Sequence, residues 1–419
     1  MTSIKPITAV ILIFSVAVLA RVAFVTFFGI PPAVLDASEY VNMARNIRDG
    51  NLLNASAPGE PELPIRVPLY GYFIAALYAI FGDSNKAVVA AHILLSASLS
   101  LIVFYLGRKY LNDSWAAFLG AMLLALHLPS AVHCGVLYPD TLFAFLIGVS
   151  VVIILQLLEK MNIGWALAAG AILGIATMCK SAAQMVVILV VGLLMFTRVT
   201  FRRKLALSAV AVAAFLAVIA PWIIRNYIRF DAFIPTGTLF GFNFLTGADE
   251  ELVPPEGIAK PALSPEVFEK AEKMGWIERN RYFFEEGKRV FIKNLSDLPR
   301  RALLKTGIIF IDYPRLSLLD NIAYNVVIGP RRARAIVWTG VLQNLLYVIM
   351  AIAALVFCRR TGGGIVPLTL LFILYFWSGY VLTRSLSRYS IPLYPFICLF
   401  AGCTLSRMLR RFRSVIEGS

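Results

Sequence analysis

A chain of 419 residues that is 59% hydrophobic and only 15% charged cannot be an ordinary soluble domain, which carries about 45–50% apolar and about 25% charged residues. Its formal net charge is +15, but the basic residues stand at the ends of apolar runs rather than on one patch, which argues for membrane topology and against a nucleic-acid partner. Five cysteines (Cys134, Cys179, Cys358, Cys398, Cys403) form no CxxC pair and suggest neither a disulfide framework nor a zinc site.

Apolar runs fall at about 7–29, 87–107, 114–134, 141–158, 163–180, 182–197, 205–224, 336–357, 365–383 and 389–406. Most have the roughly 18–25 residues a helix needs to cross about 30 Å of hydrocarbon. The expected fold is an all-α polytopic membrane protein with about ten transmembrane helices. The first run holds Arg21 and no small-residue cleavage site, so it is expected to be a retained span. An even number of spans puts both termini on one side. Arg108-Lys109, Arg198 with Arg202-Arg203-Lys204, Arg359-Arg360, and Arg407 with Arg410, Arg411 and Arg413 make that side the cytoplasm.

Two outer segments are long. The first, about 31–86, carries Pro58, Pro61, Pro64 and Pro68, then the apolar piece Leu69–Phe81. That piece is too short to span and is expected to lie in the interface or re-enter. The second, about 225–335, mixes acids and bases; Ser264-Pro265-Glu266 reads as a helix start, Gly275 as a stop, and Leu303–Ile311 as a further interfacial stretch. Three parts are expected: an N-terminal transmembrane module (1–224) with the loop 31–86, an extracytoplasmic segment with interfacial helices (225–335), and C-terminal helices with a basic cytoplasmic tail (336–419).

The outer mouths of the spans collect Asp36, Arg66, Asp140, Lys180, Arg225, Arg384 and Arg388. Charge at membrane depth is costly and faces a cavity or a partner, so this set points to a site for an anion with one or two carboxylates. Asp36 with Glu39 three residues on reads as a capping box for a helix ending near Gly50, or as a rigidly held general base; the two are compatible. Asp140, after Pro139, is equally a first-turn acid favoured by the helix dipole. Arg66 could snorkel, and Arg384, Arg388 and Tyr389 could be interface anchors. His92 and His127 fall inside apolar runs, where a buried hydrogen-bonded role is expected. His133 is on the outer side, and no metal motif accompanies it. The absence of GxSxG, Walker and dinucleotide patterns disfavours cytosolic nucleotide chemistry.

Four pieces, in order, resemble the GT-C superfamily of membrane glycosyltransferases, in the branch of protein O-mannosyltransferases and lipid A aminoarabinose transferases. They are Asp36 with Glu39-Tyr40 and Ala44; Arg66-Val67-Pro68-Leu69-Tyr70; Pro221-Trp222-Ile223-Ile224-Arg225-Asn226-Tyr227 leading to Phe233-Ile234-Pro235 and Gly241-Phe242-Asn243; and Arg388-Tyr389-Ser390-Ile391-Pro392. The resemblance implies an enzyme that takes a sugar from a polyprenyl-phosphate donor, on the extracytoplasmic face of the plasma membrane, and passes it with inversion to a hydroxyl of a lipid, glycan or protein acceptor. It implies Asp36 as general base, with Asp140 as a second site acid where relatives carry Glu. Arg66, Arg384, Arg388 and Tyr389, and Lys180 where relatives carry Arg, would hold the donor phosphate. Glu39, Tyr40, Tyr70, Arg225 and Asn226 would contact substrate. No metal or other cofactor is required by this scheme. The sequence stops soon after its last apolar run, so acceptor choice is expected to rest on the two outer segments.

Two other readings fit the same charges. A transporter or flippase of a lipid-linked or anionic solute also needs many spans and intramembrane charge, though such proteins often show internal repeats, and none is visible here. A sugar-polymer ligase, or a structural subunit that keeps the scaffold without turnover, is the third.

Overall fold

The computed structural model describes residues 5–33, 36–50, 64–248, 265–311, 330–358 and 364–417; among them every regular element is helical. In chain order these are α1 (Pro6–Phe28), α2 (Asp36–Arg48), α3 (Leu69–Phe81), α4 (Asn85–Tyr110), α5 (Ser114–Ala125), α6 (Leu128–Gly135), α7 (Asp140–Lys160), α8 (Ile163–Cys179), α9 (Val186–Met195) and α10 (Phe201–Phe230). There follow α11 (Phe240–Ala248), α12 (Pro265–Glu272), α13 (Trp276–Lys293), α14 (Leu298–Ile311), α15 (Pro330–Cys358), α16 (Ile365–Leu382) and α17 (Tyr394–Glu417). The chain is an integral, multi-pass membrane protein.

Helix boundaries follow local chemistry. Pro6 opens α1, where its missing N–H costs nothing, and Gly29 closes it at φ 76°. Asp113 accepts from the Trp115 and Ala116 amides at the start of α5, and Asn162 accepts from Trp165 at the start of α8. Gly275 stands between α12 and α13, as its expected role as a stop requires. Ser264, Pro58 and Pro61 lie outside the described residues.

All ten apolar runs are helical over most of their length, but fewer than ten helices are long and apolar enough to cross a bilayer. Among the described residues six are, or seven if α5 and α6, bent by 44° at their junction, form one span. The expectation of ten counted runs, not helix lengths. The run 163–180 yields the 17-residue α8, and 182–197 yields a 3₁₀ turn and the 10-residue α9, about 26 and 15 Å of helix. The last run gives a 3₁₀ turn at Ser387–Ser390, and α17 then continues through Arg407, Arg410 and Arg411.

Small residues set the tightest contacts. A Cβ on Gly402 of α17 would collide with the backbone of Gly120 and Ala116 in α5, and one on Gly170 of α8 would collide with Ala211 of α10. Between membrane helices such close approach supplies packing that lipid tails cannot outcompete.

The break between α5 and α6 exposes backbone groups at membrane depth, where none can be left unsatisfied. Arg21, fully buried on α1, donates to the Leu124 and Ala125 carbonyls at 3.2 and 2.7 Å, to Ala17 O at 3.0 Å and to Ser96 Oγ at 2.8 Å. From α15, Gln343 donates to Leu126 O and accepts from the Leu128 amide, and Tyr347 donates to Leu123 O. His127 is buried between Ser130 Oγ and Asn344 Oδ1, 2.8 Å from each. The buried arginine is therefore part of how the chain bends.

One end of the bundle is basic and self-capped. There Lys109 pairs with Glu159 at 2.6 Å, Arg203 and Lys204 donate to the Met161 and Met195 carbonyls, and Arg410 pairs with Asp113 at 2.6 Å. The opposite end carries α2, the starts of α4 and α7, and the ionisable residues that the sequence singles out.

Candidate active site

At that opposite end a cavity of about 380 Å³ is lined by Asp36, Arg66, Asp140, Lys180, Arg384 and Arg388, with Tyr40 and Tyr389. These residues come from five separate stretches of chain.

Asp36 and Glu39 occupy the first turn of α2. Tyr40, Val41 and Ala44 are buried on this helix, and Tyr40 meets Tyr70 of α3 edge to face at 5.0 Å. Arg45 and Arg48, in the last turn, pair with Asp83 ahead of α4. Both ends of α2 are thus tied down, and Asp36 is held at a fixed height above the spans.

Asp36 is shared between two guanidiniums. Arg66 Nη2 donates to Oδ1 at 2.8 Å and Arg388 Nη2 to Oδ2 at 2.6 Å. Arg66 Nε also donates to Glu39 Oε2 at 2.7 Å. Arg388 lies over the Tyr138 ring at 4.3 Å, and Arg66 sits beside Tyr40 at 5.5 Å, contacts that orient planar cations. Burial alone would raise the Asp36 carboxyl, but the charges and hydrogen bonds of Arg66 and Arg388 outweigh it and hold the group well below the usual carboxylate range.

A second pair stands across the cavity. Asp140 is buried at the start of α7, and Lys180, just past the end of α8, donates to it at 2.6 Å. Lys180 also lies 4.4 Å from the Tyr389 ring, and Tyr389 stacks on Tyr380 at 4.5 Å. The site therefore holds two carboxylates and four cations around one void. Among the described residues no group of three His, Cys, Asp or Glu side chains is placed to hold a metal ion.

Three expected substrate contacts lie elsewhere. Tyr70 is completely buried, 3.1 Å from His92 Nε2, which leaves no surface for a ligand. Asn226 is equally buried; it donates to Ile234 O at 2.9 Å and accepts from Arg225 at 2.8 Å, while Arg225 lies over Trp222 and Phe230. Trp222 donates to Thr236 O at 2.8 Å, and Thr238 donates to Pro64 O. A Cβ on Gly237 would collide with Ile65. The motif around Trp222 thus braces the turn 234–238, and that turn backs the segment carrying Arg66. Glu39 touches the site through Arg66. Tyr138, which supports Arg388, was not read from the sequence, although its place before Pro139-Asp140 was a usable signal.

The Asp36 pairing has a testable consequence. A carboxyl whose folded value is depressed contributes stability above its unfolded value, about pH 4, and loses that contribution as pH falls through the folded value. Thermal melting of the wild type and of Asp36→Asn between about pH 6 and 3 should show the wild type more stable at the upper end, with the gap closing toward acid. A gap independent of pH would contradict the pairing.

Residues 62–224 match the family model described as dolichyl-phosphate-mannose-protein mannosyltransferase. No curated protein matches the chain. Among solved structures, ArnT from Cupriavidus metallidurans bound to undecaprenyl phosphate aligns at 13% identity over 96% of this chain and 79% of that one, with a TM-score of 0.46. The apo form of ArnT aligns at 14% identity over 95% and 77%, with a TM-score of 0.45. The archaeal oligosaccharyltransferase AglB from Archaeoglobus fulgidus, in complex with an inhibitory peptide and a dolichol-phosphate, aligns at 12% identity over 97% of this chain and 52% of that one, with a TM-score of 0.48. Over residues 62–224, less than half of its length, this membrane protein is therefore similar to the family of dolichyl-phosphate-mannose-protein mannosyltransferases.

Proposed function

We propose that the protein transfers a sugar from a polyprenyl phosphate to an acceptor hydroxyl, with inversion, on the extracytoplasmic face of the membrane. The observation that carries this reading is the sharing of Asp36 between Arg66 and Arg388, beside Arg384 and Lys180, in one cavity. A carboxylate among cations suits a base next to a phosphate leaving group. The family match, whose description names a polyprenyl-phosphate mannose, supports the donor class. The basic opposite end supports the side, since basic residues mark the cytoplasm.

In this scheme the donor phosphate competes with Asp36 for Arg66 and Arg388. As the arginines turn to the phosphate, Asp36 loses the charge that depresses it and becomes a stronger base. The acceptor oxygen bonds to the anomeric carbon while the bond from that carbon to the phosphate oxygen breaks. The hydroxyl proton passes to Asp36, and polyprenyl phosphate leaves with the additional negative charge, neutralised by Arg66, Arg384, Arg388 and Lys180. Asp140, locked to Lys180, fixes that cation and presents its second oxygen to the sugar.

The direct test is mass spectrometry of surface glycans and lipid-linked sugars from cells with and without the gene. Loss of one glycoform, with its lipid-linked sugar accumulating, is the expected result. An unchanged glycan profile together with counterflow of labelled lipid-linked solute across vesicles would overturn transfer in favour of transport.

A further inference from the structure

A buried lysine stands behind one wall of the cavity. Lys305, on α14, is fully buried. Its ammonium donates to Gly247 O at 2.8 Å, Val381 O at 3.0 Å and Thr383 O at 2.8 Å. Gly247 is in the last turn of α11, and Val381 and Thr383 belong to the end of α16 and the residue after it. Helix C-termini present unsatisfied carbonyls and partial negative charge, so one cation answers two such ends at once.

The same two ends hold Arg384. Its amide donates to Asn243 O in α11 at 2.9 Å, and a Cβ on Gly247 would collide with the backbone of Thr383 and Arg384. Around Lys305, Arg301 donates to Ala248 O at 2.5 Å, and Trp377 of α16 donates to Thr306 of α14 at 2.8 Å. Asn243, Thr383 and Arg384 line the cavity, whereas Lys305 does not.

We propose that Lys305 is a positioning residue for donor binding: it locks the ends of α11 and α16 together and so sets where Arg384 stands for the lipid phosphate. The proposal rests on the donor reading above. Lys305→Met keeps the length of the side chain and removes the donors, leaving three carbonyls without their cation. Lys305→Arg keeps a cation able to bond several carbonyls.

The test is a binding cycle on the full-length protein in detergent, with farnesyl phosphate and farnesol as probes. The wild type is expected to prefer the phosphate. Lys305→Met should weaken farnesyl phosphate binding about tenfold, leave farnesol binding unchanged, and be largely rescued by Lys305→Arg. Arg384→Gln should weaken phosphate binding similarly, and adding Lys305→Met to it should cost little more, because one acts through the other. Equal losses for both probes, or full additivity in the double variant, would overturn the positioning role. A wild type with no preference for the phosphate would instead overturn the donor reading itself.

Discussion

Replacing Asp36 by asparagine is expected to lower the rate of sugar transfer by about 10²–10⁴-fold, the range over which a positioned base contributes. The amide has nearly the shape of the carboxylate, so α2 and its anchors at Asp83 stay in place. It cannot take the acceptor proton. It also releases Arg66 and Arg388 from a competing anion, so binding of the polyprenyl phosphate should hold or tighten while turnover collapses. That opposite movement separates a lost base from a damaged site. Asp36→Glu, which displaces the carboxylate by a methylene, should retain lipid binding and recover little of the rate. Single-turnover transfer and lipid binding on the same preparations check both, and transfer at the wild-type rate by Asp36→Asn would remove Asp36 from the chemistry.

The largest effect on stability is expected at Arg21. Arg21→Met fits the space and removes donors to three carbonyls and one hydroxyl. A buried acceptor that loses its partner costs about 1–3 kcal/mol. Removing a buried charge refunds part of that, and interhelical bonds in membranes are individually modest. The net loss should be about 2–4 kcal/mol, read as a lower denaturation midpoint in detergent. Arg21→Lys, able to reach some of the same carbonyls, should recover part. A methionine variant as stable as the wild type would show that the break between α5 and α6 holds without the arginine.

The sequence made the carboxylate–cation set legible because charge at membrane depth is rare and has to be explained. Asp36, Arg66, Asp140, Lys180, Arg384 and Arg388 were named on that ground and on the motif pieces, and they line one cavity. Motif matching could not separate residues that face the cavity from those that hold its walls. Tyr70 shares a short string with Arg66, and Asn226 stands in another of the motif pieces, yet both are fully buried and hydrogen-bonded away from the cavity. Lys305 was invisible for a related reason: its partners are backbone carbonyls, and no side-chain pattern announces them. The run 114–134 read as one span because its apolar character is continuous, although His127, Pro129 and the distant Arg21 were signs of the bend at that point. Hydropathy reports which segments leave water; it does not report which are straight, or long enough to cross.

Arg388 and Asp36 are 352 residues apart in the chain. At ribosomal speeds of about 5–20 residues per second, one is made about 18–70 s after the other. Asp36, Arg66, Asp140 and Lys180 are all made before Arg384 and Arg388, the last cations to line the cavity. The cavity is therefore complete only once the later helices have joined the bundle. Ordering the two residues at such a distance makes closure of the Asp36–Arg388 pair a report that assembly has reached the last helices.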